Sequence, residues 1–377
     1  MKILHVSTFL QGGAGRMIAS LAVAQQRAGH EVTVIADAGG EIGYQSYPEY
    51  LAQLAEAGVE FYTVTSTFKR DLGLNLRAVR HLRPRIGARA IDIAHTHAAI
   101  PTLVVRLALG RCANVPLVQT MHGWGVHKSP DQAAMDITLL GVTQAVVTPS
   151  AAARETLRTQ GLEDVPIHVI PYGLDRQPSH RAPEVDDAAV FARLRAAGTS
   201  IALCIGTIGE RKNQALLVTA LASLERVAAV FIGDGDAGPL GAQARDLGVS
   251  AKVHVLGYRA DASRYLSLAD TLVLPSLNEG LPIAVLEALR AGVPVVGSAI
   301  PEIAEAVEDG RTGVLFAPGN GAALAAALQR SLDPSTRAAM RVDARAAFDA
   351  RYGVEQMTEA YDRLYAQLRL PSPESVS

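Results

Sequence analysis

Short apolar, β-branched runs alternate along the first half of the chain with segments whose apolar residues recur at helical spacing. Lys2–Thr8 predicts a strand, Arg16–Ala28 a helix closed by Gly29, and Glu31–Ala36 the next strand, a βαβ unit. Further runs at Phe61–Val64, Ile91–His95, Leu117–Thr120 and Ala145–Pro149 continue the alternation, the pattern of a parallel sheet covered by helices on both faces. A polar stretch, RQPSHRAPEVDD at 176–187, reads as a linker. A second series follows at Ser200–Gly206, Ala228–Gly233, Val253–Gly257, Thr271–Pro275, Val293–Gly297 and Gly313–Phe316. The expectation is two α/β domains, 1–177 and 178–353, each a doubly wound sheet. They are expected to face across a cleft, with ligands at the carboxyl ends of the strands.

Composition narrows the classes. At 377 residues the chain exceeds one ordinary domain, and 49% hydrophobic with 19% charged residues is globular stock rather than disordered chain. Thirty-five basic against 37 acidic residues give a net charge of -2, which excludes a basic polymer binder and implies no nucleic-acid partner. Only Cys112 and Cys204 are present, so a reducing compartment, the cytoplasm, is expected. The apolar start, MKILHVSTFL, is interrupted by His5, Ser7 and Thr8 and reads as a strand rather than a targeting segment. The tail after Leu370 is expected to be disordered.

Chemistry concentrates in the loops. Pro275–Gly292 joins a buried strand to a helix, with Pro282 suited to the first helical position and Gly292 to the stop. Backbone N–H groups at Gly280, Leu281 and Ile283 offer a helix end to a phosphate, while Glu279 and Glu287 suit sugar or ribose hydroxyls. Gly206–Gln214, with Thr207, follows the first strand of the second domain. Its adjacent Arg211 and Lys212 match the two phosphates of a diphosphate. At the front, Gln11–Arg16 carries Gly12 and Gly13, which permit close approach of phosphate or sugar, with Arg16 adding charge. Gly233–Gly238 matches G-x-G-x-x-G, but no acidic residue ends the next strand, VHVLGYR, and Asp234 and Asp236 would repel a pyrophosphate. It reads as a sharp turn.

Histidines form the last group. His95 and His97 sit two apart at a strand end, and His122 follows another strand. With His127 nearby they lack the spacing of a complete metal set, so no metal is expected, and His122 is read as a hydrogen-bonding partner for a sugar or leaving phosphate. Lys69, Arg70, Arg77, Arg80, Arg83, Arg85 and Arg89 crowd one region opposed only by Asp71. That face reads as solvated, with anionic lipid or an anionic acceptor as the functional alternative.

The glycine loop after the first strand, His95-Thr96-His97, TMHG at 120–123, PYGLD at 171–175, RKNQ at 211–214 and PSLNEGLPIAVLEALRAGVPVV at 275–296 together resemble the family 4 (group 1) glycosyltransferases of the GT-B fold. The likeness runs from residue 1 to about 365. Its most specific part is the glutamate pair with seven residues between.

The resemblance implies two Rossmann-like domains, an N-terminal one for acceptor and a C-terminal one for donor. A terminal helix, about Val354–Leu368 within 354–370, is expected to cross back onto the first. It implies retaining, metal-independent transfer from a nucleotide diphosphate sugar, UDP favoured, without a cofactor. The acceptor would be a glycan, lipid-linked sugar or small molecule in cell-surface polysaccharide or lipopolysaccharide synthesis, at the cytoplasmic face of the inner membrane. Position by position, Glu287 would hold the ribose and Glu279 the sugar hydroxyls. Arg211 and Lys212 would hold the diphosphate, helped by the N–H groups of Gly280 and Leu281, with Pro282 beside them on the donor side, and His122, Arg211, Lys212 and Glu279 would be the catalytic residues. His122 would lie beside the transferred sugar; Thr207, Tyr258 and Gly13 join the donor side; and Gly12, Gly13, Arg16 and His97 face the acceptor. The competing classes are a nicotinamide-dependent oxidoreductase, resting on the Gly233 motif, and a non-catalytic two-domain sugar-binding protein.

Overall fold

The computed structural model describes residues 1–39, 45–65, 70–110, 114–125, 128–177 and 182–369. Lys69, Cys112, His127, the Arg89 side chain and the tail from 371 lie outside the described residues. The chain divides into two compact units, Met1–Gly173 with Val354 onward, and Leu174–Gly353.

In the first unit seven parallel strands, β1 Lys2–Val6, β2 Glu31–Asp37, β3 Glu60–Val64, β4 Ile93–Thr96, β5 Leu117–Thr120, β6 Ala145–Thr148 and β7 Ile167–Val169, form a sheet in the order β3-β2-β1-β4-β5-β6-β7. Central strands such as β4, β5 and β6 are buried at every position, as parallel strands covered on both faces require. The direction of winding reverses between β1 and β4, so the loops after those two strands part and leave a crevice at their carboxyl ends. The helix Val354–Arg369 also belongs to this unit, burying Met357, Tyr361, Leu364 and Tyr365.

The second unit repeats the plan with six strands, β8 Ser200–Ile205, β9 Val227–Ile232, β10 Val253–Gly257, β11 Thr271–Leu274, β12 Val295–Ser298 and β13 Gly313–Phe316, ordered β10-β9-β8-β11-β12-β13. Leu217, Phe231, Val273 and Leu328 are among the residues of its core. Its winding reverses between β8 and β11, the strands that carry the two most informative loops.

Three local differences from the sequence reading have physical causes. The break between units falls at Gly173/Leu174 because Leu174 N donates to Tyr352 O (2.9 Å) and Arg290 to the Asp175 carbonyl (3.1 Å), which ties 174–177 to the second unit. The supposed linker also loses its end to a helix, Val185–Ala196, in which Asp187 is buried under a forked pair of bonds from Arg259 (2.7 and 2.8 Å). The edge strand β7 is only three residues long, too short to stand out as a run of its own. Positions 178–181 of that polar stretch lie outside the described residues.

Candidate donor site and histidine network

In the second unit the loops after β8 and β11 meet. A one-turn helix, Glu210–Lys212, follows β8, and Asn213 in the left-handed region (φ 52°) turns the chain into the helix Gln214–Ala220. Lys212 Nζ donates to Glu279 Oε1 at 2.6 Å, and the Arg211 guanidinium to Glu279 Oε2 at 3.2 Å and to the Asn278 carbonyl at 2.9 Å. Leu277 N returns a bond to the Arg211 carbonyl (2.9 Å), so backbone and side chains both clasp the two loops. Burial pushes the Glu279 carboxyl upward, but the Lys212 and Arg211 charges outweigh it and hold it below its ordinary value. Two cations against one carboxylate leave the cluster with a local charge of about +1.

Gly206 makes room for the lysine: its φ of 145° suits glycine, and a Cβ there would stand 3.2 Å from Lys212 Cε. Gln214, 2% exposed, pins the loop by accepting from Gly209 N (3.2 Å) and donating to the Thr207 carbonyl (3.0 Å). Neither the Glu279 counter-ion role nor the Gln214 clamp stood out in the sequence. Only the RKNQ run touches the latter, and the sequence reading gives Glu279 a role toward the donor sugar but no cationic partner.

The helix after β11 is Ile283–Arg290, one residue later than expected, with Pro282 as its N-cap and the Pro282 carbonyl accepting from Val285 N (3.0 Å). As a cap rather than a first-turn residue, Pro282 leaves the amides of Ile283 and Ala284 as the helix-end donors. Glu287 is 3% exposed and one turn beyond Ile283, on the same side of the helix. Tyr258, at the loop after β10, is 43% exposed.

The glycine motif at 233–238 serves packing. A Cβ on Gly233 would lie 2.1 Å from the Gly206 carbonyl oxygen, and one on Gly235 2.6 Å from that of Ile208. Ile208 N donates to Asp234 O (2.7 Å), so the loop after β8 packs directly on the glycine turn.

In the first unit the glycine run at the front is already helical. The helix spans Gly12–Arg27, with Gly12 and Gly13 exposed in its first turn, and Gly15 is required because a Cβ would fall 2.3 Å from Leu10 C. Arg16 is half-buried on that turn.

The histidines join end to end. His5 Nε2 bonds Gln25 Oε1 (2.8 Å), His5 Nδ1 bonds His97 Nε2 (3.0 Å), His97 Nδ1 bonds His122 Nε2 (3.1 Å), and His122 Nδ1 bonds the Tyr172 hydroxyl (2.7 Å). Beside this line, His95 lies between Tyr365 (2.7 Å) and Thr120 (2.8 Å), and Thr120 reaches Tyr361 (3.0 Å). Burial lowers His5 and His122 to about 4. Burial, then neighbouring imidazoles, holds His95 and His97 well below the usual histidine range. These rings are neutral at pH 7. Nitrogens of His5, His95 and His97 lie within 4.8 Å of one another, the spacing of a metal nest, but every one of those nitrogens already serves a hydrogen bond that coordination would break. His97, expected to face an acceptor, is 7% exposed with both nitrogens occupied.

Two family models match the chain, Glycosyltransferase Family 4 over residues 11–177 and Glycosyl transferases group 1 over residues 199–333. Glycogen synthase of Mycobacterium tuberculosis (strain ATCC 25618 / H37Rv) is 29% identical over an alignment 404 positions long, covering 96% of this chain and 91% of that protein. D-inositol 3-phosphate glycosyltransferase of Xylanimonas cellulosilytica is 30% identical over 302 residues, 73% of this chain and 72% of that one. Among solved structures, Anabaena HepE in complex with UDP and glucose superposes with a TM-score of 0.82 at 22% identity, over 97% of this chain and all of that one. Two parallel, doubly wound units of this kind are the GT-B architecture of glycosyltransferases. The chain belongs to the family 4, group 1 glycosyltransferases.

Proposed function

We propose that this glycosyltransferase moves a sugar from a UDP-sugar to a glycan or lipid-linked acceptor, with retention of configuration and without a metal or cofactor, in cell-surface polysaccharide synthesis. The observation that carries the reading is the Arg211–Lys212–Glu279 cluster at the winding reversal of the second sheet. Breaking the bond from the anomeric carbon to phosphate puts negative charge on the departing diphosphate. Lys212, Arg211 and the amides of Ile283 and Ala284 stabilise that charge as it grows. Glu279 is kept ionised by its partners and accepts hydrogen bonds from donor-sugar hydroxyls, while Glu287 does the same for the ribose. Thr207, Gly280, Leu281 and Tyr258 complete the donor side, and His122 serves the transferred sugar. The acceptor oxygen attacks the face from which the phosphate leaves, and its proton passes to the departing phosphate oxygen. A UDP donor is supported by the HepE complex and a glycan acceptor by the glycogen synthase relative.

The same reading places Gly12, Gly13 and Arg16 on the acceptor side and the protein at the cytoplasmic face of a membrane. The helix Leu72–Arg89 leaves Leu72 67% and Leu76 44% exposed beside Arg77 and Arg80, an apolar and basic surface suited to anionic lipid. No described helix is long and apolar enough to cross a membrane. A thermal-shift series with UDP, GDP, ADP and TDP at one concentration tests the donor. UDP alone should raise the melting temperature, and stabilisation by another nucleotide instead, or by none, sinks the assignment. Anomeric proton couplings of the product formed in EDTA then test retention and metal independence together.

A further inference from the structure

The line Gln25–His5–His97–His122–Tyr172 draws on five separate segments. They are the helix Gly12–Arg27, strand β1, the turn after β4, the turn after β5 and the stretch after β7. A neutral imidazole has one N–H and one bare nitrogen, so a ring that accepts at one end must donate at the other. Proton order therefore propagates. Gln25 presents its carbonyl oxygen, Oε1, to His5 Nε2, which must then carry the hydrogen. His5 Nδ1 is left as an acceptor and takes a hydrogen from His97 Nε2. His97 Nδ1 takes one from His122 Nε2, and His122 Nδ1 takes the Tyr172 hydroxyl proton. Gln25 and His5 are fully buried and His97 and Tyr172 nearly so, which keeps water from the inner bonds of the line and leaves His122, at its outer end, half-buried.

We propose that Gln25, His5 and His97 are positioning residues that set the tautomer of His122, with its hydrogen on Nε2 and its Nδ1 reserved for Tyr172. The consequence for specificity is that the His122 ring has no nitrogen to spare for a substrate while the line is intact. A sugar hydroxyl that bonds the ring must displace Tyr172 from Nδ1. This consequence rests on the reading of His122 as a donor-side group; the tautomer assignment does not.

Long-range ¹H–¹⁵N spectra of the full chain labelled with ¹⁵N-histidine, at pH 7 and without donor, test the assignment. His5, His97 and His122 should all show the Nε2–H pattern. Gln25→Met, close in shape but with no polar end, should move His122, three hydrogen bonds away, to averaged nitrogen shifts. Tyr172→Phe should leave His122 as Nε2–H, because the order is set from the glutamine end. An Nδ1–H His122 in the wild type, a Gln25→Met spectrum unchanged at His122, or a tautomer change in Tyr172→Phe would each overturn the proposal. Should Gln25→Met fail to fold, the wild-type and Tyr172→Phe spectra still decide it. Failure of UDP to bind would leave these spectra as they are, so the two readings fail separately.

Discussion

Replacing Lys212 by Ala removes a charge that is 14% exposed and 2.6 Å from Glu279 Oε1. At an effective dielectric of 20 that contact is worth about 6 kcal/mol of gross Coulomb attraction, set against several kcal/mol of desolvation. Arg211 remains, but at 45% exposure it is a weaker, screened partner, so the variant should lose about 3 kcal/mol or less of stability. Turnover should fall by about 10²–10³, equivalent to about 2.7–4 kcal/mol, the scale for deleting one preorganised donor to a developing anion. The pH dependence separates the two effects. In the wild type the Glu279 carboxyl is held below its ordinary 4.5, so its contribution to stability is present above 4.5 and drains away as pH falls through the lower folded value. Without Lys212 burial gains the upper hand and raises that carboxyl, so the variant loses stability as pH rises. Melting curves of the two proteins should therefore diverge as pH rises through 4.5. Unchanged turnover in a folded variant, or a melting difference that does not vary with pH, refutes the electrostatic account.

Gly233→Ala places a methyl 2.1 Å from the Gly206 carbonyl oxygen; chemical denaturation should show a loss of about 1–3 kcal/mol and UDP affinity should drop as the loop after β8 is displaced. Asp187→Asn halves the Arg259 fork and removes a buried carboxylate that the Arg259 hydrogen bond holds below its ordinary value. The wild-type advantage in melting temperature should be present above pH 4 and vanish as pH falls below it. Vesicles containing anionic phospholipid should sediment the wild type at low salt, release it at high salt, and fail to sediment Leu76→Asp; equal binding by that variant removes the helix Leu72–Arg89 from the proposed contact.

Much of this architecture is legible from alternation alone, because parallel strands covered on both faces are continuous apolar runs, and those of the second unit end near a glycine or proline. β5, β10 and β13 have the ends their sequences announce. What alternation misses is set by partners remote in sequence. Asp187 looks like linker until Arg259, 72 residues on, buries it. Glycines 12 and 13 look like a loop because glycine is a poor helix former, yet the helix starts at Gly12, with Gly15 N donating to the Gln11 carbonyl (3.0 Å). At the site, Arg211, Lys212 and Glu279 were each visible in their motifs, but their mutual ion pairing joins residues 67 and 68 positions apart, which no local pattern encodes. The histidine line is the same case, with His5 and His97 92 positions apart.

The helix Val354–Arg369 supplies Tyr361 and Tyr365 to the pocket around His95, so the unit that begins the chain is also the one that finishes it. During synthesis on a ribosome the second unit, Leu174–Gly353, emerges whole before the last piece of the first one does. A truncated product ending near 350 would hold a finished second unit and a first unit with two buried tyrosines missing, open to proteases and chaperones at the slot they vacate. Quality control of this enzyme therefore bears on the helix Val354–Arg369.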